Sequence, residues 1–278
     1  MSFDPRITPV RHDLAAKHLE GKVAAARFVE GQEREVIDAQ APLRRAPAPD
    51  AEQMTEALMG ERMTVYEFDD EGWAWGQLAD DGYVGYLPAS ALIAPRAAPT
   101  HKVTALRTLA FPGPSIKLPP VATPPLGARL TVLRQQDRFA VATIGYVPAG
   151  HLAPLDRVET DFVAVAERFV GTPYLWGGKT SLGLDCSGLV QVALSACGIA
   201  CPRDSDMQES ALGALVTSLS TLERGDLVFW KGHVAIVRDE QTFLHANAFH
   251  MAVAVEPISH ALARIRAAGN DVTSVRRL

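Results

Sequence analysis

Cysteine is scarce in this chain: three in 278 residues, all between positions 186 and 201. So few, so close together, they cannot staple a disulfide framework, and they fit a reducing compartment. Long apolar runs are also missing, and nothing approaches the roughly 20 residues that span a bilayer. The opening stretch "MSFDPRITPVRHDLAAKHLEG" lacks the apolar core and small-residue cleavage pattern of a secretion leader, so the expected location is the cytoplasm. There is no excess of basic residues either. A net charge of -5 excludes a general surface for nucleic acid or anionic lipid, and no membrane partner or obligate protein partner is inferred. With 47% apolar and 21% charged residues, the composition is that of a folded globular chain.

What is present first is a repeat. "GYLPASAL" at 85–92 returns as "GYVPAGHL" at 145–152, 60 residues later, and "PLRRAPAP" is echoed by "ALRTLAFP". Between these ends lie short β-type runs, "RMTVYEF", "GWAWGQL", "ARLTVLR" and "RFAVATI", broken by Gly, Asp and Pro. That is the pattern of small antiparallel barrels, here expected at 36–96 and 100–155. Proline-rich stretches such as "APRAAPT" favour extended connections. Residues 1–35 are expected to form a short helix and strand ahead of the barrels. From 156 to 278 the pattern changes to an α+β unit. A helix is expected in "RVETDFVAVAERFVG", another in "SGLVQVALSACGI", and strands in "DLVFW", "HVAIV" and "TFLHA".

The stretch "GLDCSGLV" places Cys186 at the mouth of the second helix. A lone cysteine is more often an inert packed thiol than a nucleophile. A helix N-terminus, however, offers free N–H groups and a partial positive charge that stabilise a thiolate, and Asp185 and Ser187 are cap-forming residue types. Gly183 and Gly188 would leave backbone room for a substrate. A base is available in His233, which opens a strand after a turn, and His245 on the next strand can orient its ring. Cys197 and Cys201 have no second ligand pair nearby and are expected to pack; no metal and no cofactor is assigned.

The ordered motifs "GTPYLWGGKTSLGLDCSGLVQ", "PRDSDMQ", "GDLVFWKGHVAIV" and "FLHA" closely resemble the NlpC-type, papain-like cysteine peptidases. The resemblance implies a catalytic set of Cys186, His233 and His245, with Tyr174 near the oxyanion. Tandem bacterial SH3-like barrels before such a domain look like the γ-D-glutamyl-L-diamino acid endopeptidases, which cut murein tripeptides or tetrapeptides after L-Ala-γ-D-Glu. By that resemblance Trp176, Asp185, Ser187 and Ser205 line the substrate pocket, and Glu52 and Tyr83 of the first barrel read the free amine of L-Ala. A buried carboxylate that meets an acylated amine instead loses its partner, at about 2–5 kcal/mol.

Overall fold

The computed structural model describes residues 3–278, and the chain divides into two units, Met1–Leu155 and Asp156–Leu278. In the first unit, two-residue alternation sets the strands: Met63 and Val65 point inward while Thr64 and Tyr66 are half-buried. Strands 53–58, 40–44, 84–88, 73–78, 62–68, 32–36 and 92–93 line up in that order as one antiparallel sheet. They close around Val36, Leu43, Met63, Leu78, Tyr83 and Leu87.

The second repeat, from His101 to Pro154, forms two three-stranded sheets around Val103, Ala110, Ala128, Leu130, Ala142 and Val147. Both repeats end alike, in strand, 3₁₀ turn and strand: Pro88 and Pro148 cap Ala89–Ala91 and Ala149–His151 with nearly the same backbone angles. The proline-rich stretch 112–125 contributes only isolated bridges, as the missing donors dictate.

The N-terminal segment departs from expectation. Among the described residues it holds no α-helix, only a 3₁₀ turn at Lys17–Leu19 between the parallel strands Leu14–Ala16 and Arg27–Val29. The stretch is too short to meet the cost of helix nucleation unaided. It is laced onto the first barrel instead. The Val84 amide donates to the Arg6 carbonyl at 2.7 Å, and Arg11 stacks 4.6 Å above the Trp75 ring while pairing with Asp13 and Glu67. Residues 32–36, expected outside the barrel apart from Val36, form one of its strands.

In the second unit, helix α1 spans Phe162–Glu167, α2 Cys186–Ala196, α3 Ser205–Ala211 and α4 Ile258–Ala267. Helix α1 is shorter than the sequence suggests because Asp161 caps it, accepting from the Val163 and Ala164 amides. A six-stranded antiparallel sheet runs in the order 214–215, 272–277, 227–230, 233–237, 242–247 and 252–257. Helix α4 seals one face through Ala261, Ile258, Leu262 and Ile265, against Val228, Ala235, Val237 and Phe243. Helix α2, with Leu189, Ala193 and Leu194 wholly buried, packs on strands 233–237 and 242–247.

Candidate active site

Asp185 is the N-cap of α2 and Cys186 its first helical residue. That start is held by a buried brace. Asp185 Oδ1 accepts from the Gly188 amide at 2.7 Å, Arg203 Nη1 at 2.9 Å and the Ser187 hydroxyl at 3.3 Å. Its Oδ2 accepts from the Gly177 amide at 2.8 Å and Arg203 Nη2 at 2.7 Å. The guanidinium also reaches the Ser187 hydroxyl and the Gly178 carbonyl. Asp185 and Ser187 thus direct their polar groups into the start of α2 and its arginine brace. A doubly bonded carboxylate–guanidinium pair taken out of water is stable only with such full satisfaction.

The glycines also differ from expectation. A Cβ on Gly188 would lie 2.2 Å from the Gly178 carbonyl oxygen, and one on Gly183 would lie 2.4 Å from Leu175 Cβ. They permit close packing of the loop against α2, with no space left over for a ligand.

The Cys186 side chain, 7% exposed, lies within hydrogen-bonding reach of the Val234 amide, next in the chain to His233, and of the Ser187 amide. Burial, reinforced by the Asp185 charge, pushes its thiol up to about 12 against the pull of those amides and Arg203. The same burial, with His245 and Arg264, pushes His233 down to about 3, and burial takes His245 down to about 4 against the pull of Glu256. Desolvation thus opposes the thiolate that the helix tip favours, raising the thiol and lowering both imidazoles.

His233 Nε2 lies 2.9 Å from His245 Nδ1, with ring centroids 5.2 Å apart. Ile236 and Val237 pair with Leu244 and Phe243, which sets His233 diagonally across from His245 on one face of the sheet. His245, 1% exposed, continues through Nε2 to Glu256 Oε2 at 3.0 Å. Arg264 of α4 then holds Glu256 by 2.7 and 3.1 Å bonds. Tyr174 is half-buried, and burial together with the Cys186 and Asp185 charges raises its phenol well above the ordinary range.

The other expected residues are placed as follows. Trp176 presents its ring to solvent, 58% exposed, while Ser205 is buried as the first residue of α3. Tyr83 is 1% exposed within the first barrel's core, so its ring is committed to packing, not to reading a ligand. Glu52, just before the Gln53–Leu58 strand, is exposed and paired with Arg45 at 2.8 Å, whereas Glu56 within that strand is 3% exposed. The sequence reading missed Arg203 and Glu256. The arginine stands in the "PRDSDMQ" motif, and Glu256 follows the alternation of "AVAVEP", one face of which carries the acid.

Cys186, Cys197 and Cys201 are free thiols. Among the described residues one group could offer three metal ligands, His245, His250 and Glu256, whose ligand atoms lie within 4.8 Å of one another. The Arg264 guanidinium, 2.7 Å from the same carboxylate, opposes a divalent cation there by charge.

Two stretches of the chain match known families. Residues 171–269 match the NlpC/P60 family and residues 43–92 the bacterial dipeptidyl-peptidase Sh3 domain. Dipeptidyl-peptidase 6 of Lysinibacillus sphaericus is 33% identical over 118 residues, 40% of this chain and 43% of that protein. A γ-D-glutamyl-L-lysine dipeptidyl-peptidase of Bacillus cereus is 30% identical over 107 residues, 36% of this chain and 32% of that protein. The matches thus span less than half the length of these relatives. A crystal structure of an NlpC/P60 family protein from Bacillus cereus superposes with a TM-score of 0.75 at 20% identity, covering 88% of this chain and 99% of that one, a likeness of fold.

Proposed function

We propose that this chain, which carries an NlpC/P60 cysteine peptidase domain behind a bacterial SH3 domain, hydrolyses the γ-D-glutamyl bond to the diamino acid in cell-wall stem peptides that have a free N-terminal L-Ala. The observation that carries the reading is the thiol at the start of α2, beside the Val234 amide, followed by the 2.9 Å step from His233 to His245. The names of the curated relatives, dipeptidyl-peptidases with γ-D-glutamyl-L-lysine specificity among them, support the substrate class.

In this mechanism Sγ of Cys186 attacks the γ-glutamyl carbonyl as its proton passes to His233. The backbone N–H of Cys186, which has no acceptor four residues back, faces the developing oxyanion together with Tyr174. Collapse expels the diamino acid, whose amine takes the proton from His233. Water then attacks the thioester, losing its proton to His233, and the sulfur leaves with that proton, releasing L-Ala-γ-D-Glu. Selection of a free amine needs a shielded carboxylate. A demand for a free amine restricts the enzyme to peptides already detached from glycan, which suits recycling in the cytoplasm.

The test compares L-Ala-γ-D-Glu-diamino acid with its N-acetylated form, following products by mass spectrometry. Dipeptide release from the free peptide alone is the expected result. Equal cleavage of both would overturn the amine requirement, and cleavage of neither would overturn the substrate class.

A further inference from the structure

The triad does not end at His245. His233, His245 and Glu256 occupy three successive strands, and each step between them is a diagonal on the same face of the sheet: Ile236 pairs with Leu244, and His245 with Ala254. Glu256 is only 6% exposed, and both of its oxygens are bonded. Oε1 accepts from Arg264 Nε, and Oε2 accepts from Arg264 Nη2 at 2.7 Å and meets His245 Nε2 at 3.0 Å. Arg264 is itself steadied, its guanidinium stacking 4.4 Å from the Phe249 ring centre.

We propose that Glu256, clamped by Arg264, is a positioning residue that sets which nitrogen carries the proton on both histidines and so delivers His233 to the thiol with a bare Nδ1. The inference rests on the cysteine-peptidase reading above.

The logic is one of donor parity. An ionised carboxylate only accepts, so the His245 nitrogen facing it, Nε2, must carry hydrogen. Arg264 and His245 hold Glu256 below its ordinary carboxylate range despite its burial, which keeps it ionised. A neutral His245 then has a bare Nδ1, which can only accept from His233 Nε2–H at 2.9 Å. A neutral His233 has its remaining nitrogen, Nδ1, free of hydrogen, the state a base needs. If the group at 256 donated instead, each ring would flip tautomer, and His233 would present an N–H to the thiol. The charges that bear on His245 are Glu256, Arg264, His233 and His250, and Glu256 alone among them favours a positive ring. When His233 takes the thiol proton, that proton stays on His233, and Glu256 stabilises the new charge through the intervening ring, as an aspartate does in a serine triad.

The experiment uses the full chain labelled with ¹⁵N-histidine. Spectra that report ring protonation should show hydrogen on Nε2 and none on Nδ1 for His233 and His245 at pH 7.5. Glu256→Gln should lower kcat on the free tripeptide about 10- to 100-fold with KM within about twofold, and should change the His245 tautomer pattern. Hydrogen on Nδ1 of either ring in the wild type overturns the proposal. So does a Glu256→Gln variant with wild-type kcat, or one with reduced kcat and unchanged tautomers, since the residue would then serve only structure. If the variant does not fold, the wild-type spectra decide. Those spectra also decide if the wild type cleaves no tripeptide, a result that counts against the proposed substrate and not against the proton order.

Discussion

The two units of the chain hide different things. Buried polar side chains in the first unit are few, Thr55, Glu56, Glu61 and Thr108, and its cores are otherwise aliphatic and aromatic. The second unit buries Asp185, Ser187, Arg203, Gln208, Asp226, His245, Asn247 and Glu256 among others, most of them near the start of α2 or along the His233–His245 line. Apolar packing alone suffices to close a small barrel. The second unit instead fixes its polar groups through satisfied buried hydrogen bonds, at a cost in desolvation.

The sharpest way to break the contrast is to remove Arg203. Arg203→Ala leaves Asp185 as a buried charge without its guanidinium, and the catalytic unit should lose about 3–5 kcal/mol in denaturant unfolding. A loss below about 1 kcal/mol would mean that the brace is decorative.

The one deeply buried acid of the Gln53–Leu58 strand should behave like the second unit's polar groups. Glu56→Gln, which replaces the buried carboxylate that accepts from Gln40 Nε2 at 3.1 Å, is expected to cost the first unit about 1–3 kcal/mol in denaturant unfolding. In Glu52→Gln, which breaks the exposed pair with Arg45, stability should shift by under about 1 kcal/mol.

Acid should weaken the second unit selectively. His233 and His245 are held below the ordinary histidine value, at about 3 and about 4, so an unfolded chain binds protons that the folded one refuses as the pH falls below 6.5. Stability contributed by the neutral rings is full above pH 6.5 and declines below it, on the order of 2 kcal/mol per ring by pH 5. The raised thiol acts in the opposite direction, with stability declining as the pH rises from 9 toward 12. Amide exchange in strands 233–237 and 242–247, followed across this range against the Arg62–Phe68 strand, checks both limbs.

How much of this the sequence announces depends on how local the signal is. The strand 233–237, the α2 start behind Asp185 and the twin strand–turn endings follow from spacing and capping within a few residues. The Asp185–Arg203 brace joins residues 18 apart, and the lacing of Arg6 and Arg11 onto the barrel joins residues about 75 apart, so no local pattern reports them. Glu256 and Arg264 sit eight residues apart on a strand and the helix after it, and their meaning appears only when the sheet register brings His245 beside them. The helix tip at Cys186 is legible in "DCSG", whereas the burial that raises its thiol comes from the surrounding chain and is not.

The central claim is that Cys186 forms a covalent bond to the γ-glutamyl carbon during turnover. Acid quenching of wild-type protein mixed with the free tripeptide, followed by peptide mapping, should find the L-Ala-γ-D-Glu acyl group on the fragment that contains residue 186, and Cys186→Ala should show neither adduct nor cleavage. Undiminished cleavage by Cys186→Ala, or an acyl group mapped to any other residue, would contradict the account.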